Sequence, residues 1–233
     1  KLMITDKRIS VLLLVCNEVN TIEKDIISIK KNLQNFINYE LVVMQDGSTD
    51  GTYDKLNILK KKYDFKLNSV IEKRGYTSAF LLGIKECKEN TIFFSDTGGK
   101  YDFKNLKIFI ETFFSKKLDL VAGYRIKRKD KIYRRILTFF YTMCINFLFK
   151  KTYLDYDCGF KICKKEIIES LIRKHNLTSY LLTSQIFIYF FLNKFRILQL
   201  PIEYLEDSKR SSRGILLKKI PKVIILSLIN LIK

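Results

Sequence analysis

Eight residues, QDGSTDGT from Gln45 to Thr52, place two carboxylates, three hydroxyls and two glycines directly behind the apolar run LVVM, Leu41 to Met44. A strand that ends in an acidic, small-residue turn and leads into a helix brings a carboxylate and unpaired helix N–H groups to one point. That combination suits the ribose and phosphates of a nucleotide. Ser48, Thr49 or Asp50 can also cap the following helix, because their side-chain oxygens accept its first N–H groups. Taken alone, the segment reads equally as a nucleotide loop or as a capped turn without a ligand.

A second segment of the same build lies upstream. VLLLV, Val11 to Val15, is a continuous apolar run, as a parallel strand covered on both faces requires. It ends at Cys16, Asn17 and Glu18, after which Asn20 or Thr21 can start a helix reaching about Asn35. Two strand, acidic loop, helix units predict a right-handed βαβ unit with both loops at one edge of the sheet. A third strand is expected from Thr91 to Ser95, ending at Asp96.

In order along the chain, these segments resemble the inverting family-2 glycosyltransferases, and among them the polyprenyl-phosphate (dolichol-phosphate) hexosyltransferase branch. VCNEVNTI resembles the family's PxYNE opening and QDGSTDGT its DDGSTDGT. RGYTSAFLLGI (Arg74 to Ile84) is similar to its glycine-rich helix start, and TIFFSDTGGKYD (Thr91 to Asp102) to the strand carrying its DxD metal motif. VAGYR (Val121 to Arg125), DYDCGFK (Asp155 to Lys161) and LPIEYLEDSKRSSR (Leu200 to Arg213) resemble three later family segments. The resemblance implies an α/β, Rossmann-like glycosyltransferase type A fold with a central, mostly parallel sheet flanked by helices and with helices at a membrane interface. It implies a catalytic domain over 1–213 and a basic, apolar, membrane-proximal segment over 214–233.

Site residues follow from the same resemblance. Leu14, Cys16, Glu18, Asp46, Ser48 and Gly75 match donor-binding positions, with Glu18 and Asp46 suited to a base N–H or ribose hydroxyl. Ala79 and Gly83 look like helix-packing positions. Asp96 matches the first Asp of the metal motif, but the second is Gly98 and the Gln beyond it is Lys100. Either Asp96 holds Mg²⁺ or Mn²⁺ largely through water and the diphosphate, with help from Asp102, or Lys100 supplies the positive charge. Arg125 together with Arg134 or Arg135, and Thr138 on the same helical face, match an acceptor-phosphate site, for which the planar guanidinium is well shaped. Asp96 and Arg125 are thus candidate catalytic residues. Asp155 and Asp157 join them as candidate bases if the acceptor is a hydroxyl; for Asp155 a structural turn role stands beside this. Ser212 and Arg213 match a final SK pair, with Lys209 and Arg210 adding charge.

Composition fits one domain. The 233 residues hold two Pro and nine Gly, too few for a long flexible linker, and show no internal repeat. Five cysteines, an odd number without CxxC spacing, argue for free thiols in a reducing compartment and against a zinc site or disulfide framework. One histidine, His175, excludes multi-His metal sites and is expected at the surface or a helix end.

Charge narrows the partners. Lys and Arg number 43 against 24 acidic residues, a net +19, which suits nucleic acid, an anionic membrane or a polyphosphate substrate. The chain lacks helix-turn-helix, zinc or aromatic-plus-basic signatures, so nucleic acid is set aside. The apolar stretch Ile132 to Phe149 is bracketed by basic residues and is slightly short for a span; it reads as an interfacial helix or as a core helix. No N-terminal signal peptide is read, and a membrane segment beyond residue 233 stays open. The expected place is the cytoplasmic face of a membrane. The expected reaction is inverting hexose transfer from a nucleoside diphosphate sugar to a polyprenyl phosphate. Transfer to a glycan hydroxyl, or an inactive scaffold, are the alternatives; the oligomeric state is unread.

Overall fold

The computed structural model describes residues 6–129, 131–177 and 181–205. Strand β1 (Arg8–Val15) sends Ile9, Val11, Leu13 and Val15 into one apolar cluster and Leu12 and Leu14 into another. A strand buried on both faces belongs in the middle of a helix-covered sheet. It lies there, flanked in parallel by β2 (Asn38–Asp46) and β4 (Thr91–Asp96).

The remaining strands are β3 (Lys66–Val70), β5 (Leu120–Ile126), β6 (Phe160–Lys164) and β7 (Ile197–Glu203). The seven-stranded order is β3-β2-β1-β4-β6-β5-β7, and β6 runs antiparallel to both of its neighbours. The carboxyl ends of the other strands and the amino end of β6 therefore share one rim. Strand order reverses between β1 and β4, the position at which open α/β sheets leave a crevice for ligands. The strand expected third in the chain is thus the fourth. The missed strand, β3, sits at the sheet edge, is largely polar and has none of the apolar continuity of β1 or β2.

Helices α1 (Ile22–Leu33), α2 (Thr52–Lys62) and α4 (Leu106–Ser115) pack their apolar stripes on one face. Helices α3 (Tyr76–Glu86), α5 (Ile132–Phe149), α6 (Lys165–Lys174) and α7 (Leu182–Leu192) cover the other. Gly83 of α3 lies directly on β1: a Cβ there would come within 2.6 Å of Leu12 Cδ1. His175 follows the last residue of α6, a helix end as expected. All five cysteines are free thiols.

α5 departs from the core-helix reading. Of its 18 residues only Tyr141, Thr142 and Ile145 are buried. Ile132, Ile136, Phe139, Phe140, Phe147 and Leu148 stand largely in solvent. Among the described residues no helix is long and apolar enough to cross a membrane. Segment 214–233, with Ser212 and Arg213, lies outside the described residues.

Candidate donor and acceptor sites

The two acidic loops at the rim are laced to one another. Asn17 sits at φ +54°; its N–H donates to Ser48 Oγ (2.9 Å) and its Oδ1 accepts from Thr49 N–H (2.7 Å). Glu18 N–H donates to Thr52 Oγ1 (2.7 Å), and Asp50 Oδ1 accepts from Thr52 N–H (3.0 Å) at the start of α2. Ser48 and Asp50 are therefore shapers of the loop. The donor-binding role expected of Ser48 finds its hydroxyl already engaged. Gln45, with its amide nitrogen turned to the Val70 carbonyl (3.1 Å), ties the same turn to β3.

Asp46 also works inward. Its two carboxylate oxygens accept the N–H groups of Arg74 (2.7 Å) and Gly75 (2.9 Å), which fixes the loop entering α3. Gly75 has φ +92°, and nothing lies within 4 Å of where its Cβ would be, so bare backbone faces open space. Glu18, 5% exposed, accepts from the Thr21 hydroxyl (3.0 Å). Cys16 is half-buried on the same loop, and the Leu14 carbonyl accepts from Thr97 Oγ1 (2.9 Å).

Leu14 pairs with Asp96 on one side and Met44 on the other. Met44 and Asp96 are thus level with one another two strands apart, about 10 Å at the usual strand spacing, and Asp46 lies two residues further along β2 at the same rim. Asp96 is enclosed. A Cβ on Gly159 would fall 2.7 Å from its Cγ, and Lys100 Nζ lies 3.7 Å from its Oδ2. The buried Tyr76 phenol is held protonated by burial and then by the charge of Asp96. Asp102, expected to help at a metal, accepts from Lys104 N–H (3.0 Å) and faces its own turn. Among the described residues no three His, Cys, Asp or Glu side chains come together to hold a metal ion. Asp96 is thus the one carboxylate of the expected metal motif, and a hard divalent cation held there would draw its remaining oxygens from water and the diphosphate.

Asp25 is a site residue that sequence reasoning missed. It is 4% exposed, and its Oδ2 accepts the N–H groups of Gly98 (2.9 Å) and Gly99 (3.3 Å), which sets the path of the chain after Asp96. The signal was present: an acidic residue on the apolar stripe of Ile22, Ile26, Ile29 and Leu33.

At the far end of the rim Arg125 and Asp155 form a fork. Nε donates to Oδ2 (2.7 Å) and an Nη to Oδ1 (3.0 Å), with both side chains under a tenth exposed. Burial opposes the carboxylate, but Arg125 holds the Asp155 pKa below its ordinary value, and Asp155 holds Arg125 firmly charged. Asp155 is thus committed to an ion pair and is no free base, and the Arg125 fork is spent within the protein. Asp157 is more open, 38% exposed, and Thr183 Oγ1 donates to it at 2.5 Å; the buried part of the carboxylate pushes its pKa up, against the opposing pull of Arg125 and of that hydroxyl. Beneath this loop the fully buried Lys161 ammonium donates to the Tyr156 and Cys158 carbonyls.

Alongside the fork a cavity of ≈ 670 Å³ opens along α5. Arg125, Arg128, Arg135, Thr138 and Asp155 mark its polar part, and Ile132, Ile136, Phe139, Phe140 and Leu154 its apolar wall. Arg134 is not on that wall; its carbonyl accepts from the Thr138 hydroxyl (2.9 Å). Of the four expected acceptor residues, the structure gathers Arg125, Arg135 and Thr138.

A switch-point crevice with acidic loops thus lies beside a cationic and apolar groove in an α/β protein. The family model "Glycosyl transferase family 2" matches residues 10–172, and the chain belongs to that family. It is 28% identical over 139 residues to a dodecaprenyl-phosphate galacturonate synthase of Rhizobium johnstonii, covering 57% of this chain and 40% of that protein. It is 26% identical over 171 residues to a dolichol-phosphate mannosyltransferase of Pyrococcus furiosus, covering 70% and 48%. The chain thus spans about half the length of these curated relatives. A glucosyl-3-phosphoglycerate synthase of Mycobacterium tuberculosis, solved with Mn²⁺, UDP-glucose and phosphoglyceric acid, superposes with a TM-score of 0.71 at 17% identity, over 96% of this chain and 79% of that one. That likeness establishes the glycosyltransferase type A fold.

Proposed function

We propose that residues 1–213 are the catalytic domain of an inverting glycosyltransferase that moves a hexose from a nucleoside diphosphate sugar to a polyprenyl phosphate at the cytoplasmic face of a membrane. One observation carries the acceptor reading: Arg128, Arg135 and Thr138 share a groove with the exposed apolar side chains of α5. A charged head with a long apolar tail is the ligand that such a groove complements, and both curated relatives are named for polyprenyl-type phosphates.

The donor lies, in this reading, at the β1–β4 rim, with Glu18 and the open backbone at Gly75 toward the nucleoside and Asp96 beside the sugar and diphosphate. An acceptor phosphate oxygen forms the bond to the anomeric carbon as the bond to the diphosphate breaks, and the nucleoside diphosphate leaves with the electron pair. An ionised phosphate needs no general base, so the commitment of Asp155 to Arg125 is no obstacle. A glycan hydroxyl would need one. Asp157, partly exposed and with a raised pKa, is the residue that favours this second reading.

The test offers radiolabelled UDP- and GDP-hexoses with undecaprenyl phosphate or with a soluble oligosaccharide. Label entering the organic phase together with nucleoside diphosphate release is the expected result. Label on the oligosaccharide alone would move the acceptor to the glycan, and absence of release with every pair would leave a scaffold.

A further inference from the structure

We propose that the Lys100 ammonium does the work of a divalent cation against the donor diphosphate, so that this chain binds its sugar nucleotide without metal. The inference rests on the donor reading above.

Four observations converge on it. The backbone at Gly98 has φ +96°, a conformation that side-chain-bearing residues rarely adopt, and Asp25 holds the N–H groups of both Gly98 and Gly99. Position 98 therefore cannot present a second carboxylate without rebuilding the turn. Asp96 is walled by the Cα of Gly159 on one side and neighbours Lys100 on another, leaving one carboxylate for any cation.

Lys100 is also pre-positioned. Its carbonyl accepts from Leu205 N–H (2.8 Å), and the next residue, Tyr101, is buried, bridges to Tyr204 and packs on Phe160. The backbone that carries the ammonium is thus braced by the end of β7, while the side chain keeps 27% of its surface exposed at the rim. Finally, the 3.7 Å separation from Asp96 Oδ2 is longer than a charge-assisted hydrogen bond, so Lys100 retains donors for an incoming anion. A lysine ammonium serves phosphate as a point charge, and a fixed positive charge stabilises a departing diphosphate.

The full chain is titrated with UDP-, GDP- and dTDP-hexoses, once in EDTA and once in Mn²⁺. The expected result is the same affinity in both buffers for the preferred donor. Lys100→Met should weaken that binding roughly tenfold or more, the loss of a hydrogen bond to a charged group, and Lys100→Arg should keep most of it. Lys100→Asp, which supplies a second carboxylate, should make binding respond to Mn²⁺. Binding that vanishes in EDTA and returns with Mn²⁺ overturns the inference but leaves the donor reading standing, as does undiminished binding by a folded Lys100→Met. No binding of any sugar nucleotide in either buffer overturns both.

Discussion

Arg125 and Asp155 illustrate how a residue can match a family position and still be committed elsewhere. They lie 30 residues apart, so nothing in the local sequence foretells their fork. A guanidinium this buried needs its counter-charge, and removing one partner of a buried pair typically costs about 3–5 kcal/mol. Asp155→Asn is expected to lower unfolding free energy by about that amount in urea denaturation; a change below about 1 kcal/mol would show the pair to be dispensable. The sign with pH follows from the depressed carboxylate pKa. Its stabilisation is complete above the unfolded value of about 4 and is lost as pH falls through the lower folded value. Acid unfolding of the native chain should therefore have a limb that Asp155→Asn flattens.

At the level of elements, legibility tracked burial on two faces. β1 and β2 announce themselves because a strand covered by helices on both sides must be apolar without a break. β3 has an exposed edge and only partly buried side chains, and its KLNSV carries no such mark. The bounds of α5 were plain from Ile132 to Phe149, but its setting was not. Composition cannot separate an apolar helix that faces a core from one that faces outward, and only three buried residues settle the matter against the core. An exposed Phe and Ile stripe beside arginines suits the headgroup layer of a bilayer. Each basic residue near an anionic surface contributes about 1 kcal/mol, so Arg135→Ala should weaken binding to phosphatidylglycerol vesicles about fivefold in sedimentation assays. Phe139→Ser should weaken it as well. Unchanged binding by both variants would remove α5 from the bilayer.

Across the whole molecule, the excess of 19 positive charges acts at longer range than any one contact. Raising ionic strength from about 0.01 to 0.15 M shortens the screening length from about 30 to 8 Å. Vesicle binding is expected to fall steeply over that interval in the same sedimentation assay; insensitivity to salt would mean that apolar insertion alone holds the protein down. The fold class and the order of the rim segments could be read from the sequence because strand ends and loop chemistry are local. The occupied state of Asp46, the turn held by Asp25 and the fork at Arg125 could not, since each joins side chains and loops far apart in the chain.

The reversed direction of β6 has one more effect. Because it enters the sheet where β4 leaves it, the carboxylate of Asp96 rests against Gly159, and the segment from Asp155 to Gly159 runs from the Arg125 fork straight to that point of contact. Asp96 at the end of β4 and Arg125 on β5 are thus separated by a wall one strand thick, β6. Their separation is set by the spacing of strands within one sheet, like the gauge of a track.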